Sequence, residues 1–197
     1  FNEEDNVEKC YQVVKSIFAN ELPSYHLEHI FVDNASTDHT VEILRKIATK
    51  DASVKVIVNT RNFGVDRSTF NGLRYATGDA IIGMLPVDLQ DPPELIPEFV
   101  QHWENGIEVV AGARSNREES FAMRSMRKIF YRIVNSLADF EIPHDVGEFQ
   151  LIDRKVLDAV LRHSDHHPYI RGIIASCGFK KLIIHYRWRA RKRGFSK

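Results

Sequence analysis

The chain has 197 residues, 43% of them hydrophobic and 27% charged, with Lys+Arg and Asp+Glu both totalling 27. That balance describes one folded unit with a sizeable core and excludes a protein that coats a polyanion, so no nucleic-acid partner is expected. No run within these residues approaches the roughly 18 apolar residues of a membrane span, and two thiols as far apart as Cys10 and Cys177 suit a reducing compartment better than a disulfide framework.

Behind the acidic "NEED" opening, Val7, Cys10, Tyr11, Val14, Ile17 and Phe18 recur at helical spacing, with negative charge where a helix N-terminus favours it. A strand is predicted over 27–33, a helix over 38–48, a strand over 54–58 and a helix over 66–76. Thr77-Gly78-Asp79 turns the chain into "AIIGML" (80–85), a continuous apolar run of the kind buried on both faces. Asp91 can cap a helix with Pro92 at its first position, running to about Asn105, and Gly106 precedes the strand "EVVAGA" (108–113). Alternating strands and helices predict an α/β domain with a largely parallel sheet and helices on both faces.

Ligands in such sheets bind beyond the carboxyl ends of the strands. Asp33, the stretch "NTRNFG" (59–64) and the acids Asp88 and Asp91 all follow predicted strands, so three loops are expected to converge on one edge. The second half is less regular. A helix is predicted over 120–138, where Met123, Met126, Phe130, Ile133 and Leu137 form an apolar stripe beside Arg124, Arg127, Lys128 and Arg132. It reads first as a core-facing helix with a solvated basic face, and alternatively as one lying on anionic lipid. Residues 180–197 hold eight Lys/Arg and no acid, while His163, His166 and His167 lack the spacing of a zinc site.

The segments "FNEEDNV", "VDNASTDHT", "RNFG", "ATGDAIIGMLPVDLQDPPELI", "DVGEF" and "RKRGFSK" occur in an order and spacing that resembles family 2 glycosyltransferases of the GT-A fold, above all the polyprenyl-phosphate glycosyltransferases. The resemblance implies a nucleotide-sugar-binding α/β sheet and a nucleoside diphosphate sugar at the strand ends. Asn2 and Glu3 match the family's Asn-Glu pair and Asp33 its nucleoside-holding acid, although Asp33 is also placed to cap the next helix. The family's Asp-x-Asp becomes Pro86-x-Asp88 here, followed by Gln90 and Asp91, which match the glutamine and acid that lie around the nucleotide. Asp88 with Gln90 is thereby implied to hold Mg2+ or Mn2+, completed by substrate phosphate oxygens, since such an ion takes one or two carboxylates. The missing carboxylate at position 86 forgoes about 4 kcal/mol at roughly 4 Å and an effective dielectric near 20, so weak metal binding without nucleotide is expected.

"DVGEF" resembles the family's acceptor motif, with Glu148 where Asp is usual, and Glu148 is the implied catalytic carboxylate. Arg191, Gly194, Ser196 and Lys197 match Arg-x-x-Gly-x-Ser-Lys, implying that Arg191 and Lys197 act on the diphosphate and the acceptor phosphate while Ser196 contacts the nucleotide. The implied activity is inverting sugar transfer to polyprenyl phosphate, at the cytoplasmic face of a membrane. A non-catalytic nucleotide-sugar-binding protein and a transferase with a soluble sugar acceptor are the alternatives, and a homo-oligomer is left open. In the family a strand precedes the Asn-Glu pair and membrane-associated helices follow the Ser-Lys motif, so residues 1–197 are expected to be a single catalytic domain cut at both ends.

Overall fold

A computed structural model describes residues 1–115, Met126 and 146–189. The first helix, α1 (Val7–Glu21), buries Val7, Cys10, Val14 and Ile17, the stripe seen in the sequence, with Glu8 in its first turn. Strand β1 (His29–Asp33) follows, then α2 (Thr40–Lys50), β2 (Val54–Val58), α3 (Val65–Leu73) and β3 (Ala80–Ile82). The expected strand over 80–85 is therefore only three residues long. Gly83 N still bonds Gln150 O at 2.8 Å, and the chain then departs from the sheet ahead of Pro86, which has no N–H for a ladder.

Pro92 precedes a single 3-10 turn, Pro93–Leu95, which leads into α4 (Ile96–Glu104). Strand β4 (Val109–Ser115) ends the first described block. The second contains β5 (Val146–Asp153), α5 (Arg154–Leu161), α6 (Ile170–Ser176) and β6 (Lys181–Arg187). Asp153 caps α5 by accepting from the Lys155 amide at 3.0 Å. The helix expected over 120–138 lies outside the described residues.

Strands β1 and β2 pair in parallel, as do β4 and β6, while β5 runs antiparallel between β3 and β4. The α/β architecture is the expected one, and the four-stranded sheet is mixed because β5 runs antiparallel to both of its neighbours. Among the described residues β1 bonds only β2, and the second sheet has the order β3-β5-β4-β6. Side chains alternate across a sheet, and the core divides accordingly. Val109 and Ile152 pack with residues of α3, α5 and α6, while Val110 and Leu151 pack with residues of α1 and α4. Helices thus cover both faces. Phe99 and Phe149, both fully buried with ring centroids 5.0 Å apart, sit at the centre of the second layer.

Candidate active site

Three loops leave the carboxyl ends of β1, β2 and β3, and hydrogen bonds join the first of them to the N-terminus. Asp33 is 3% exposed, and its carboxylate accepts from the Ser36 amide at 2.8 Å and from the Ser36 hydroxyl at 2.5 Å, closing a turn. Asn2 N donates to Ser36 Oγ at 2.8 Å, and Asn2 Oδ1 accepts from the Thr37 amide at 2.9 Å. Glu3 N donates to Thr40 Oγ1 at 2.8 Å, so Asn2, Glu3 and Asp33 meet around one turn. Asp38 serves the helix start, accepting from the Thr40 amide at 3.0 Å, and hydrogen bonding holds its carboxyl below the usual range against the opposing effect of burial.

The "NTRNFG" segment is scaffold. Asn34 donates to Asn62 Oδ1 at 2.8 Å and accepts from the Phe63 amide at 3.0 Å, while Asn59 donates to Ser68 Oγ at 2.8 Å. This network, with Asn34 and Asn59 buried and Asn62 at the surface, ties the loops after β1 and β2 together. Gly64, at φ 84, turns the chain into α3 in a conformation that favours glycine.

In the acidic loop after β3, Leu89 N donates to Pro86 O at 3.0 Å and Gln90 N to Asp88 Oδ1 at 3.2 Å. Val87 packs against the cluster of Val7, Phe31 and Leu44, which brings the loop over β1 and α1. Burial, with a smaller contribution from the charge of Asp88, pushes the Cys10 thiol up to about 12, so Cys10 is inert core. Among the described residues, the non-glycine positions with positive φ are Asn2 (52°), Ala35 (64°) and Leu89 (55°), one at the N-terminus and one in each of the two acid-bearing loops. Strained backbone of this kind collects at functional sites.

Asp91 differs from its expected placement as a helix cap. It has 0% exposure and turns inward, where it accepts from Arg114 Nη2 at 3.0 Å, Arg114 Nε at 3.1 Å and Tyr186 Oη at 2.5 Å. The start of the turn is left to Pro92, which has no side-chain donor or acceptor. The partners Arg114 and Tyr186 lie 23 and 95 residues along the chain, so nothing local in the sequence links them to Asp91. Arg189 N donates to Gln90 O at 3.0 Å, and its guanidinium reaches Glu94 at 3.0 and 3.1 Å, so the end of β6 is fastened to the same loop. Glu148 lies on β5, its carbonyl beside Gly83, and its carboxylate is 3.1 Å from Arg171 Nε, an ion pair without hydrogen-bond alignment. Arg171 also donates to Val146 O at 2.9 Å. Arg191, Ser196 and Lys197 lie outside the described residues.

Among the described residues no group of three His, Cys, Asp or Glu side chains is arranged to hold a metal. The loop after β3 carries the side-chain oxygens of Asp88 and Gln90. Such hard donors fit a Mg2+- or Mn2+-type ion only if the remaining positions are filled by phosphate oxygens and water.

Residues 1–161 match the family model described as glycosyl transferase family 2. The chain belongs to that family and is a glycosyltransferase domain of the GT-A fold. It is 38% identical over 187 residues to an uncharacterized glycosyltransferase, YkcC, of Bacillus subtilis, covering 94% of this chain and 57% of that protein. It is 33% identical over 198 residues to the bactoprenol glucosyl transferase of Shigella phage SfV, covering 100% of this chain and 64% of that one. The chain therefore spans about three fifths of the length of these relatives. The mannosyltransferase PcManGT of Pyrobaculum calidifontis, solved in complex with GDP-Man and Mn2+, shares the fold with a TM-score of 0.63 at 20% identity, over 98% of this chain and 56% of that one.

Proposed function

We propose that the protein transfers a sugar, with inversion, from a nucleoside diphosphate sugar to polyprenyl phosphate at the cytoplasmic face of a membrane. The observation that carries this reading is the pairing of Glu148 with Arg171 at 3.1 Å, on the strand that flanks the start of the loop bearing Asp88 and Gln90. An acceptor oxygen that arrives already ionised needs no proton removed, so it suits a site whose carboxylate is committed to an ion pair. A relative named as a bactoprenol glucosyl transferase supports the same class of acceptor.

Asn2, Glu3 and Asp33 would receive the nucleoside, while Asp88 and Gln90 would hold the cation. That cation, when bound, supplies positive charge against the diphosphate. An acceptor phosphate oxygen would form the new bond to the anomeric carbon as the bond to the diphosphate breaks, and Arg191 and Lys197 would neutralise the departing charge. We assign the approach to anionic lipid to the basic stretch 180–197, which holds eight Lys/Arg and no acid.

The test is a calorimetric screen of UDP, GDP, CDP and dTDP, each with Mn2+, Mg2+ or EDTA, followed by turnover of the matching nucleotide sugar with polyprenyl phosphate or with free sugars. Metal-assisted binding followed by transfer to the lipid is the expected result. Binding without turnover on any acceptor would make the protein a nucleotide-sugar binder, and transfer to free sugars alone would remove the lipid from the reading.

A further inference from the structure

Asp91 is sealed from solvent, so it cannot touch a nucleotide directly. We propose that Asp91, Arg114 and Tyr186 are positioning residues that fix the Asp88 loop in its ligand-holding shape and yoke it to the C-terminal strand; the proposal rests on the functional reading above. A buried carboxylate is tolerated only when paired and fully hydrogen-bonded. Asp91 meets that condition through a two-pronged guanidinium contact and a phenolic hydroxyl, which come from β4 and β6 respectively. The Tyr186 hydroxyl is held protonated by burial and then by its bond to Asp91, so it remains a donor. The Trp188 ring, 5.2 Å from the Arg114 guanidinium carbon, covers the outer side of the pair.

Position separates this unit from ordinary core packing. Asp91 directly follows Gln90, and Arg189, three residues beyond Tyr186, bonds Gln90 O through its amide. Residues 88–91 are thereby clamped from β6 at both Gln90 and Asp91. Between Asp88 and Gln90 stands Leu89, in a left-handed conformation that a leucine avoids in a free loop. The two short bonds within the loop, Leu89 N to Pro86 O and Gln90 N to Asp88 Oδ1, leave its far end loose unless Asp91 is anchored. Arg187 and Arg189 belong to the basic stretch 180–197, so the anchor joins the acidic loop to cationic residues at the end of the described chain.

The test uses the full-length protein with Tyr186→Phe, which deletes the hydroxyl and keeps the ring edge-on to Phe149, and Arg114→Lys, which keeps the charge and loses the fork. Amide hydrogen exchange should speed up by about tenfold over residues 86–91 in each variant, with α1 unchanged. Affinity for the best-bound of UDP, GDP, CDP and dTDP should fall about five- to tenfold with Mn2+ and less than about twofold with EDTA. Unchanged exchange over 86–91, or an equal loss of affinity with and without Mn2+, would overturn the proposal, because a general loss of packing predicts the latter. Should Tyr186→Phe fail to fold, Arg114→Lys carries the same expectation. Absence of nucleotide binding by the wild type would overturn the functional reading, and the exchange measurement would still decide whether the anchor holds the loop.

Discussion

The carboxylate of Glu148 and the backbone of Leu89 both bear on how the site divides labour. General base catalysis contributes about 10²–10⁴ in rate where a proton must be removed. With Glu148 tied to Arg171, Glu148→Gln should lower kcat with polyprenyl phosphate by less than about tenfold, whereas a hydroxyl acceptor would lose the full contribution. Comparing kcat for the two acceptor types in wild type and variant checks this. Leu89→Gly should relieve a left-handed cost of about 1–2 kcal/mol while adding roughly 0.5–1 kcal/mol of unfolded-state entropy, leaving Tm unchanged or slightly raised. The same substitution should weaken Mn2+-dependent nucleotide binding, because the turn between Asp88 and Gln90 would no longer be confined. Thermal unfolding and calorimetry on one sample separate the two effects.

At the scale of the elements, β4 and β6 are pressed together at Gly112. A Cβ there would lie 2.7 Å from Tyr186 Cε1 and 3.0 Å from Phe149 O, too close for either to remain in place. Gly112→Ala should cost about 1–3 kcal/mol, and the displaced Tyr186 should carry metal-dependent nucleotide affinity down with it. The elements up to residue 113 were legible because their signals are local: the apolar spacing of α1, the Asn-Thr-Arg turn after β2, and Gly106 before β4. β5 and β6 were harder to read. "VGEFQLID" is buried along nearly its whole length and does not alternate, and "KLIIHYR" carries charge at both ends. Asp91 followed by proline is a sound capping signal, yet its true partners are 23 and 95 residues away, where no periodicity could point. The alignment of Asn2, Glu3 and Asp33 was available from motif order, while the clamp on Gln90 was visible only in three dimensions.

For the whole molecule, ligand and stability are linked. With Asp88 lacking a carboxylate at position 86, Mn2+ alone should leave Tm where it is, and nucleotide alone should raise it little. Both together at about 100 times Kd should add roughly 2.7 kcal/mol, or about 5–11 °C for a domain of this size. Scanning calorimetry with each ligand separately and combined checks the synergy. A large shift from Mn2+ alone, preserved in Asp88→Ala, would place the cation elsewhere.

The anchor beneath the acidic loop also has a consequence in time. During synthesis the motif "VDLQD" leaves the ribosome long before Tyr186, and closing a loop of 95 residues must precede the bond from Tyr186 to Asp91. A nascent chain released before β6 would keep the turn around Asp33 and carry the acids after β3 without the bond from Tyr186. On the proposed reading such a truncated product would lack an anchored loop after β3, so that metal-dependent donor binding would be completed last, by the strand farthest along the described chain.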